Sequence, residues 1–428
     1  MLNKLRFTKL NFHYYHIIIM KTFAIFVSLL ALFSVSKAIF NTNSQFGKDP
    51  CSDKLFSDVV TKLGYPFESH QTVTDDGYIL RMFRIQAKNT KMTAGKKVIF
   101  MQHGLIDSAD DWVVNEESKS LGLVLANLGF DIWLGNNRGN KYSRANTHIT
   151  PNHREFWSYS FQQMAENDVK ANIAYVTAAT GVEKITYVGH SQGTSQMFAA
   201  LTDPATTEYV NSKIKVFIAL APVVYLSNAN SRILKFLGHD SILIKTAELW
   251  GVDEWLPGAC SKTSVQSEFE YLICKLDVNL CDIFISLIAD YNPKYDNQKQ
   301  FPIFVEHNPS GSSLQSVLHY RQLFVSDKYH PIFRKYDYGK KENTKKYGQA
   351  IPPDYDLNKI RIPIRGYIGT DDELGDPTDN AFLTAKLQEL DKDYKTYTFD
   401  NCGHLTFMWA DNPSPIFDKV IAEIMSFN

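Results

Sequence analysis

The most constraining feature of this sequence is a Gly-x-Ser-x-Gly motif that directly follows an apolar run and precedes a helix-like segment. The run covers residues 185–188, and the motif is Gly189-His190-Ser191-Gln192-Gly193. A turn that passes this sharply from strand to helix leaves no room for side chains at its flanks, so it needs both glycines. It also holds the serine hydroxyl above the sheet edge, beside the free N–H groups of a helix N-terminus. The motif therefore predicts Ser191 as a nucleophile; the alternative is an ordinary glycine-rich turn.

Short apolar runs alternate with longer helix-like segments through much of the chain. The runs that indicate buried strands cover residues 98–102, 130–134, 185–188, 216–220, 364–368 and 396–399, and helices are expected at 161–180, 379–390 and 414–427. This alternation predicts a mostly parallel sheet that is covered by helices on both faces. Two earlier runs, 70–73 and 78–85, are joined through Asp76-Gly77, which is a strong hairpin signal. We therefore expect the sheet to begin with antiparallel strands.

The alternation stops at Ala221-Pro222 and resumes near residue 358. Residues 222–357 are helix-like and turn-rich, which predicts an insertion that divides the core into residues 39–221 and 358–428. Within the insertion, residues 335–353 are basic and contain glycine and proline, a composition that favours an exposed linker.

The first 38 residues have the order of a secretory signal peptide: a basic start, an apolar run and small residues around Ala38. Met20 stands directly before Lys21 and would begin a signal of ordinary length, so we expect translation to start there. The alternative is an uncleaved anchor, although Lys21 interrupts the apolar run. No later segment is apolar enough to predict a transmembrane helix in the mature chain. The sequence thus predicts a protein of the secretory pathway.

Charge and cysteine content narrow the possible partners and cofactors. The chain has 45 Lys and Arg against 46 Asp and Glu, so no field of one sign favours binding to nucleic acid. It has neither a Cys-x-x-Cys pair nor a His-Glu-x-x-His stretch, and we therefore expect no metal site. Five cysteines in an exported chain favour one or two disulfides with at least one free thiol.

A serine nucleophile needs a base and an acid, which hydrolases of this architecture place downstream of the serine. Only His404 lies after the last predicted strand, since the other histidines that follow Ser191 fall inside the insertion. The acid should follow the penultimate strand, where four carboxylates compete: Asp371, Asp372, Glu373 and Asp376. Position alone does not choose among them, although Asp376 before Pro377 is typical of a turn.

The turn after the strand at 98–102 is a candidate for stabilising negative charge. It contains His103-Gly104-Leu105, and a His-Gly turn can direct a backbone N–H at a developing oxyanion. We expect the oxyanion hole to consist of the N–H groups of Leu105 and Gln192. His103 itself precedes the nucleophile in the chain, so a structural hydrogen bond is the favoured role for it.

Several blocks of the sequence together resemble the acid lipase family of α/β-hydrolases, which includes gastric lipase and lysosomal acid lipase. The blocks are Thr74-Asp75-Asp76-Gly77-Tyr78-Ile79-Leu80, Gln102-His103-Gly104-Leu105, Trp133-Leu134-Gly135-Asn136-Asn137-Arg138-Gly139-Asn140, Gly189-His190-Ser191-Gln192-Gly193-Thr194 and His307-Asn308-Pro309-Ser310-Gly311. The resemblance runs from about Asp53 to the C-terminus. It implies an α/β-hydrolase fold, with a mostly parallel central sheet flanked by helices and a mainly helical cap, or lid, at residues 222–357. It implies no cofactor.

The resemblance also bears on the candidate site residues. It aligns Asp372 with the family's catalytic acid and Asp376-Pro377 with a downstream Asp-Pro pair. The family's His-Leu-x-Phe-x-Trp corresponds to the segment from His404 to Trp409, which supports His404 as the base. Cys402-Gly403 departs from the family pattern, as does the cysteine spacing of the insertion.

The function implied by the resemblance is that of a secreted or lysosomal-type serine lipase, in the lumen of a lysosome or phagosome if it is not secreted. Such an enzyme hydrolyses carboxylic esters of neutral lipids, triacylglycerol and/or sterol esters, through an acyl-enzyme at a lipid–water interface, and we expect a monomer. A general carboxylesterase or an acyltransferase would carry the same residues. A non-catalytic lipid-binding protein is the alternative from another class, but it would be free to lose the Ser, His and Asp that are all present here.

We also expect a disulfide within the insertion, between Cys281 and either Cys274 or Cys260, with Cys274 favoured. The three cysteines lie close in sequence, the compartment is oxidising, and the family's bridge spans a similarly short loop. If they were reduced, they would pack as small apolar residues.

Overall fold

The structure is a computed structural model, and it describes residues 51–95, 97–231, 234–235, 253–258 and 295–428. Several sequence predictions therefore lie outside the described residues: the signal peptide at 1–38, the start at Met20, and a disulfide among Cys260, Cys274 and Cys281. Of the two cysteines that are described, Cys51 is disulfide-bonded and Cys402 is free and buried.

Nine strands form a central sheet within the described part of the chain. The described strands, two of which lie outside this sheet, are β1 (Phe67–Val73), β2 (Tyr78–Ile85), β3 (Val98–Gln102), β4 (Asp131–Gly135), β5 (Ala145–Asn146), β6 (Ile185–His190), β7 (Ile214–Leu220), β8 (Glu254–Trp255), β9 (Ser312–Ser313), β10 (Ile364–Gly369) and β11 (Tyr394–Phe399). The order across the sheet is β1-β2-β4-β3-β6-β7-β10-β11, with β5 paired to β2. β1, β2 and β5 pair antiparallel, whereas every pairing from β4 to β11 is parallel. The predicted sheet, with its antiparallel start, is confirmed.

Helices cover both faces of this sheet. They are α1 (Lys54–Lys62), α2 (Leu121–Asn127), α3 (Phe161–Gln163), α4 (Val169–Thr180), α5 (Gln192–Thr202), α6 (Thr207–Lys213), α7 (Phe301–His307), α8 (Leu314–Phe324), α9 (Lys340–Tyr347), α10 (Pro377–Glu389), α11 (Thr406–Trp409) and α12 (Ser414–Phe427). A π-helical turn joins α3 to α4, so the helix predicted over 161–180 is present with this one irregularity. None of the helices in the described part combines the length and apolar character that crossing a bilayer requires.

The side chains of β3 show why the sheet needs two covered faces. Ile99 and Met101 belong to the core cluster that includes α12, and Val98 and Phe100 belong to the cluster that includes α4 and α5. All four are essentially inaccessible to solvent. Neighbouring residues of a strand point to opposite faces, so a run that is apolar at every position must be covered on both sides.

The described parts of the insertion pack closely against the core. Val223 and Tyr320 lie in the same apolar cluster as Phe161 of α3. The stretch 335–353, which is predicted to be an exposed linker, is mostly exposed as expected, but it contains α9 and makes specific contacts with the core. Lys335 forms ion pairs with Glu166 and Asp203. Periodicity alone did not reveal these contacts, since they depend on distant residues.

A buried charged cluster holds the C-terminal end of α7 against the core. The Lys141 ammonium lies 2.5 Å from Asp110 Oδ2 and donates to the His307 carbonyl at 2.7 Å. The Nδ1 atom of His307 lies 2.8 Å from the same Asp110 oxygen. Burial acts to raise the pKa of Asp110, but Lys141 and His307 outweigh it and hold the pKa well below its usual value. Asp110 is therefore ionised over the whole physiological range.

We expect Asp110→Asn to lower the free energy of unfolding by about 3–5 kcal/mol, because it leaves the buried Lys141 ammonium without its counter-charge. The folded-state pKa of Asp110 is depressed, so this contribution is complete above the unfolded value of about 3.9 and declines as the pH falls below it. Denaturant unfolding at pH 7, 5 and 3 should show a difference from the unmodified protein that is constant between pH 7 and 5 and smaller at pH 3.

Asp75→Asn is the matched control, since Asp75 pairs with Lys170 on the surface and its side chain is 75% exposed. This change should cost less than about 1 kcal/mol. Equal losses in the two variants would contradict the importance of the buried cluster.

Candidate active site

Ser191 stands between β6 and α5 in a strained turn. Its φ of 53° and ψ of −117° lie outside the regions that a residue with a side chain ordinarily adopts. A Cβ on Gly189 would lie 2.7 Å from the Gly193 carbonyl oxygen, and one on Gly193 would lie 2.3 Å from the Gln102 carbonyl oxygen. Both contacts are with backbone and cannot be relieved by a side-chain movement. The two glycines of the motif are therefore required by close backbone approach, as the sequence predicts.

His404 lies in the loop between β11 and α11 and reaches the serine across the edge of the sheet. Its Nε2 atom is 2.7 Å from Ser191 Oγ, and the imidazole is almost fully buried. On its other side, Nδ1 is 3.0 Å from each carboxylate oxygen of Asp372. An ionised carboxylate only accepts hydrogen bonds, so Nδ1 must carry the proton and Nε2 must accept from the serine hydroxyl. This is the tautomer that a general base requires.

Asp372 is held by its own loop. Its Oδ1 atom accepts from the N–H groups of Leu374 and Gly375, at 2.9 and 2.6 Å. A Cβ on Gly375 would lie 2.8 Å from Asp372 Oδ2, so the loop closes on the carboxylate only because this residue is glycine. Asp376 instead accepts from the Thr378 N–H and caps α10. Of the four acids that the sequence leaves open, Asp372 is the one that hydrogen-bonds to His404, and Asp376 has the turn role that its position before Pro377 predicts.

His103 fixes the turn that follows β3. Its Nε2 accepts from the Asn137 N–H at 3.0 Å, so Nδ1 carries the proton and donates to the Gly104 carbonyl at 2.8 Å. Burial lowers the pKa of His103 to about 4 and keeps it neutral. In a trans peptide the C=O and N–H point in opposite directions, so the Leu105 N–H points away from His103. His103 thus makes structural hydrogen bonds that orient the Leu105 N–H.

Gln192 is the first residue of α5, so its N–H has no acceptor within the helix. Gly104 brings the turn after β3 close to this helix start, since a Cβ on Gly104 would lie 3.3 Å from the Cβ of Ser191. The Gly104 N–H itself is occupied, because it donates to Asp107 Oδ2 at 3.1 Å. This leaves the N–H groups of Leu105 and Gln192 as the candidate donors to an oxyanion.

Asp107 and Asn380 have no role in the sequence prediction, although both hold parts of the site. Asn380 donates to the carbonyls of Pro222 and Gly375, and so joins the start of the insertion to the loop of Asp372. Of the two, only Asp107 could have been found from the sequence, because an Asp three residues after Gly104 in a turn can accept from the Gly104 backbone N–H. Asn380 lies inside a helix, where nothing in the local pattern marks it.

Comparison with known proteins identifies the family to which the chain belongs. A model of the partial alpha/beta-hydrolase lipase region matches residues 56–116, and a model of the alpha/beta hydrolase fold matches residues 97–240. Gastric triacylglycerol lipase of Rattus norvegicus is 36% identical over 92% of this chain and 98% of its own length, and that of Homo sapiens is 35% identical over the same shares. Lipase lipl-1 of Caenorhabditis elegans is 35% identical over 92% of this chain and 96% of its own. The predicted resemblance is confirmed: the chain belongs to the acid lipase family of α/β-hydrolases and is a carboxylic ester hydrolase.

Proposed function

We propose that the protein is a serine lipase that hydrolyses the carboxylic esters of neutral lipids, triacylglycerol and/or sterol esters, through an acyl-enzyme. One observation carries the proposal: the chain of contacts from Ser191 Oγ to His404 Nε2 at 2.7 Å and from His404 Nδ1 to Asp372 at 3.0 Å. The full-length similarity to gastric triacylglycerol lipases supports a lipid ester as the substrate.

In the first half of the reaction, Ser191 Oγ attacks the ester carbonyl carbon while His404 Nε2 takes the hydroxyl proton. The carbonyl oxygen becomes an oxyanion, and the N–H groups of Leu105 and Gln192 donate to it. Removing one such donor in other hydrolases costs about 2.7–4 kcal/mol of transition-state stabilisation. The intermediate collapses when the alcohol oxygen leaves with the proton from His404, and the acyl group remains on Ser191.

In the second half, a water molecule replaces the alcohol. His404 takes a proton from the water as its oxygen attacks the acyl carbon, and the same two N–H groups hold the new oxyanion. Collapse releases the fatty acid and returns the proton to Ser191. Asp372 keeps its charge throughout and stabilises the imidazolium that forms twice in each cycle. Its depth of burial strengthens this attraction, because little water screens it.

The proposal also covers the role of the insertion, the form in which the substrate is presented, the oligomeric state and the compartment. Residues 222–357 are proposed as a cap over Ser191 that excludes water and lines the site for the acyl chain. The substrate is presented at a lipid–water interface, the enzyme acts as a monomer, and it is exported through the secretory pathway to the outside or to a lysosomal or phagosomal lumen. The chemistry requires no cofactor.

A general carboxylesterase and an acyltransferase would use the same three side chains. They differ in what enters the site, since an esterase prefers dissolved esters and an acyltransferase delivers the acyl group to an alcohol instead of water. A non-catalytic lipid binder would need none of the contacts around His404. Each alternative is separated from a lipase by the measurements that follow.

We expect Ser191→Ala to reduce hydrolysis of an emulsified triacylglycerol to less than about one hundredth, because Ser191, His404 and Asp372 act as a unit. Its thermal unfolding should change little. Ser212→Ala is the control, as that hydroxyl donates only to the Tyr209 carbonyl on the surface. Retention of more than about one hundredth of the rate, measured as fatty acid release, would contradict the role of Ser191.

Asp372→Asn and Asp376→Asn form a matched pair in one loop. The first change removes the charge that faces His404 and permits the wrong tautomer, so kcat should fall on the order of 10⁴-fold. The second preserves a good helix cap, because Asn caps helices about as well as Asp, and kcat should change by less than about threefold. The reverse order of effects would transfer the acid role to Asp376.

The specificity constant for emulsified esters should rise with acyl length. Each methylene that the cap and core bury contributes about 0.8 kcal/mol, so eight further carbons give at most about 6 kcal/mol before ordering costs. Rates on triacylglycerols, a cholesteryl ester and dissolved butyrate esters, with and without an added acceptor alcohol, provide the test. Equal constants for dissolved butyrate and long-chain emulsions would favour an esterase, and acyl transfer to the alcohol in preference to water would favour an acyltransferase.

A further inference from the structure

A second buried histidine and a second carboxylate lie beside the site and take no part in the proposed proton transfers. His190 precedes Ser191, and its Nε2 atom lies 3.0 Å from the main-chain carbonyl oxygen of His404. A carbonyl can only accept, so this Nε2 carries a proton. The rings of His190 and His404 are 5.0 Å apart between centroids. His190 therefore touches the loop of the proposed base directly.

The other ring nitrogen of His190 is unusual for a buried polar atom. Its Nδ1 is buried and has no hydrogen-bond partner among the described residues. The atom that it faces is Asp107 Oδ2, at 3.8 Å, which is too long for a hydrogen bond but close enough for strong attraction between opposite charges. When His190 is neutral, a lone pair faces a carboxylate. When Nδ1 is protonated, an N–H faces that carboxylate, and the unfavourable contact becomes an attraction between opposite charges.

Asp107 is the acceptor for the Gly104 N–H, so it belongs to the turn that carries the proposed oxyanion donor. Burial acts to raise the pKa of Asp107, but its interaction with His190, above all, and its interaction with His404 hold the pKa below its usual value. Asp107 therefore carries a negative charge in the wall of the site, on the side of His190.

The other titratable groups around this wall do not balance that charge. His103 is neutral because burial lowers its pKa to about 4, and the charge of Asp110 is matched by Lys141. Burial and the nearby Asp107 raise the pKa of Asp111 well above its usual value, which favours its neutral form. On the far side of His404 stands Asp372, whose carboxylate is held in place by the loop described above. His190 is thus the group positioned to neutralise Asp107.

We propose that His190 and Asp107 are positioning residues of the site: His190 holds the His404 loop through its carbonyl and, by taking a proton at Nδ1, neutralises Asp107. The inference rests on the proposed function of Ser191 and His404. With Asp107 uncompensated, its charge would favour the protonated form of His404, which cannot act as a base. With His190 protonated, that influence is removed, and His404 stays a free base down to a lower pH.

The test follows the pH dependence of Ser191 reactivity in the full-length protein. The probe is an alkyl fluorophosphonate, which labels an activated serine with loss of fluoride and needs no lipid substrate. In His190→Gln, the amide keeps a donor for the His404 carbonyl but cannot become charged, so Asp107 remains uncompensated. The labelling rate should fall on the acid side of the pH profile as His404 is protonated, and we call this fall the acid limb. In His190→Gln we expect the acid limb to move to higher pH by about one unit.

Two further variants separate this role from a merely structural one. Asp107→Asn keeps an acceptor for the Gly104 N–H and removes the charge, so its acid limb should not move to higher pH. In the double variant, with Asp107→Asn added to His190→Gln, the limb should return to within about 0.3 units of the unmodified protein, because the two residues act through one interaction. His148→Gln, an exposed histidine, is the control and should leave the profile unchanged.

The outcomes are distinct. An unmoved limb in His190→Gln, an equal displacement in the double variant, or a loss of labelling that is uniform across pH would overturn the inference. Normal labelling by a protein that does not hydrolyse lipid esters would overturn the proposed function and leave the labelling profiles to decide the role of His190 and Asp107. Absence of labelling in the unmodified protein would overturn both.

Discussion

The site depends on the close approach of two backbones at the carboxyl ends of β3 and β6. These strands pair in parallel through Gln102 and Gly189, and the chain turns from β6 into α5 so tightly that a Cβ on Gly193 would lie 2.3 Å from the Gln102 carbonyl oxygen. The same approach gives Ser191 its positive φ and brings the helix start at Gln192 beside the turn that follows β3. Nucleophile and oxyanion donors are therefore set by one packing constraint. Any residue larger than glycine at position 193 would separate them.

The parallel sheet explains how residues far apart in the chain meet at this point. β10 lies beside β7 and β11 lies beside β10, so the loops that follow β10 and β11 emerge at the same edge as Ser191. Parallel strands bring their carboxyl ends to one edge whatever the sequence separation. Asp372 and His404 occupy those two loops, and the insertion between β7 and β10 enters and leaves without disturbing the strand order. The long separation between Ser191 and His404 is thus a consequence of topology.

Much of this arrangement could be predicted from the sequence, because its signals are local. The bounds of β2, β3 and α12 coincide with the predicted runs, and the elbow at Ser191 follows from its two glycines. The choice of Asp372 could not come from spacing, since four acids stand in one loop and only the contact with His404 distinguishes them. The sequence predicts 335–353 as a linker because the stretch is basic and contains glycine and proline. The contacts that fix it come from far earlier in the chain: Tyr347 of α9 donates to Gln162, and Lys335 pairs with Glu166. Tertiary hydrogen bonds of this kind leave no periodic trace in a sequence.

Polar contacts attach the insertion to the core at two places beside the site. At its start, Asn380 donates to the Pro222 carbonyl and to the Gly375 carbonyl of the Asp372 loop. In its second half, His307 contacts Asp110, which follows the turn after β3, and Lys141, which lies in the loop after β4. Removing one partner of a buried ion pair lowers the free energy of unfolding by several kcal/mol, so the attachment through Asp110 and Lys141 tolerates little change. Through these contacts the insertion is joined to the loop that carries Asp372 and to the turn that carries the candidate oxyanion donor Leu105, since the neighbouring Ile106 carbonyl accepts from the Ser310 N–H.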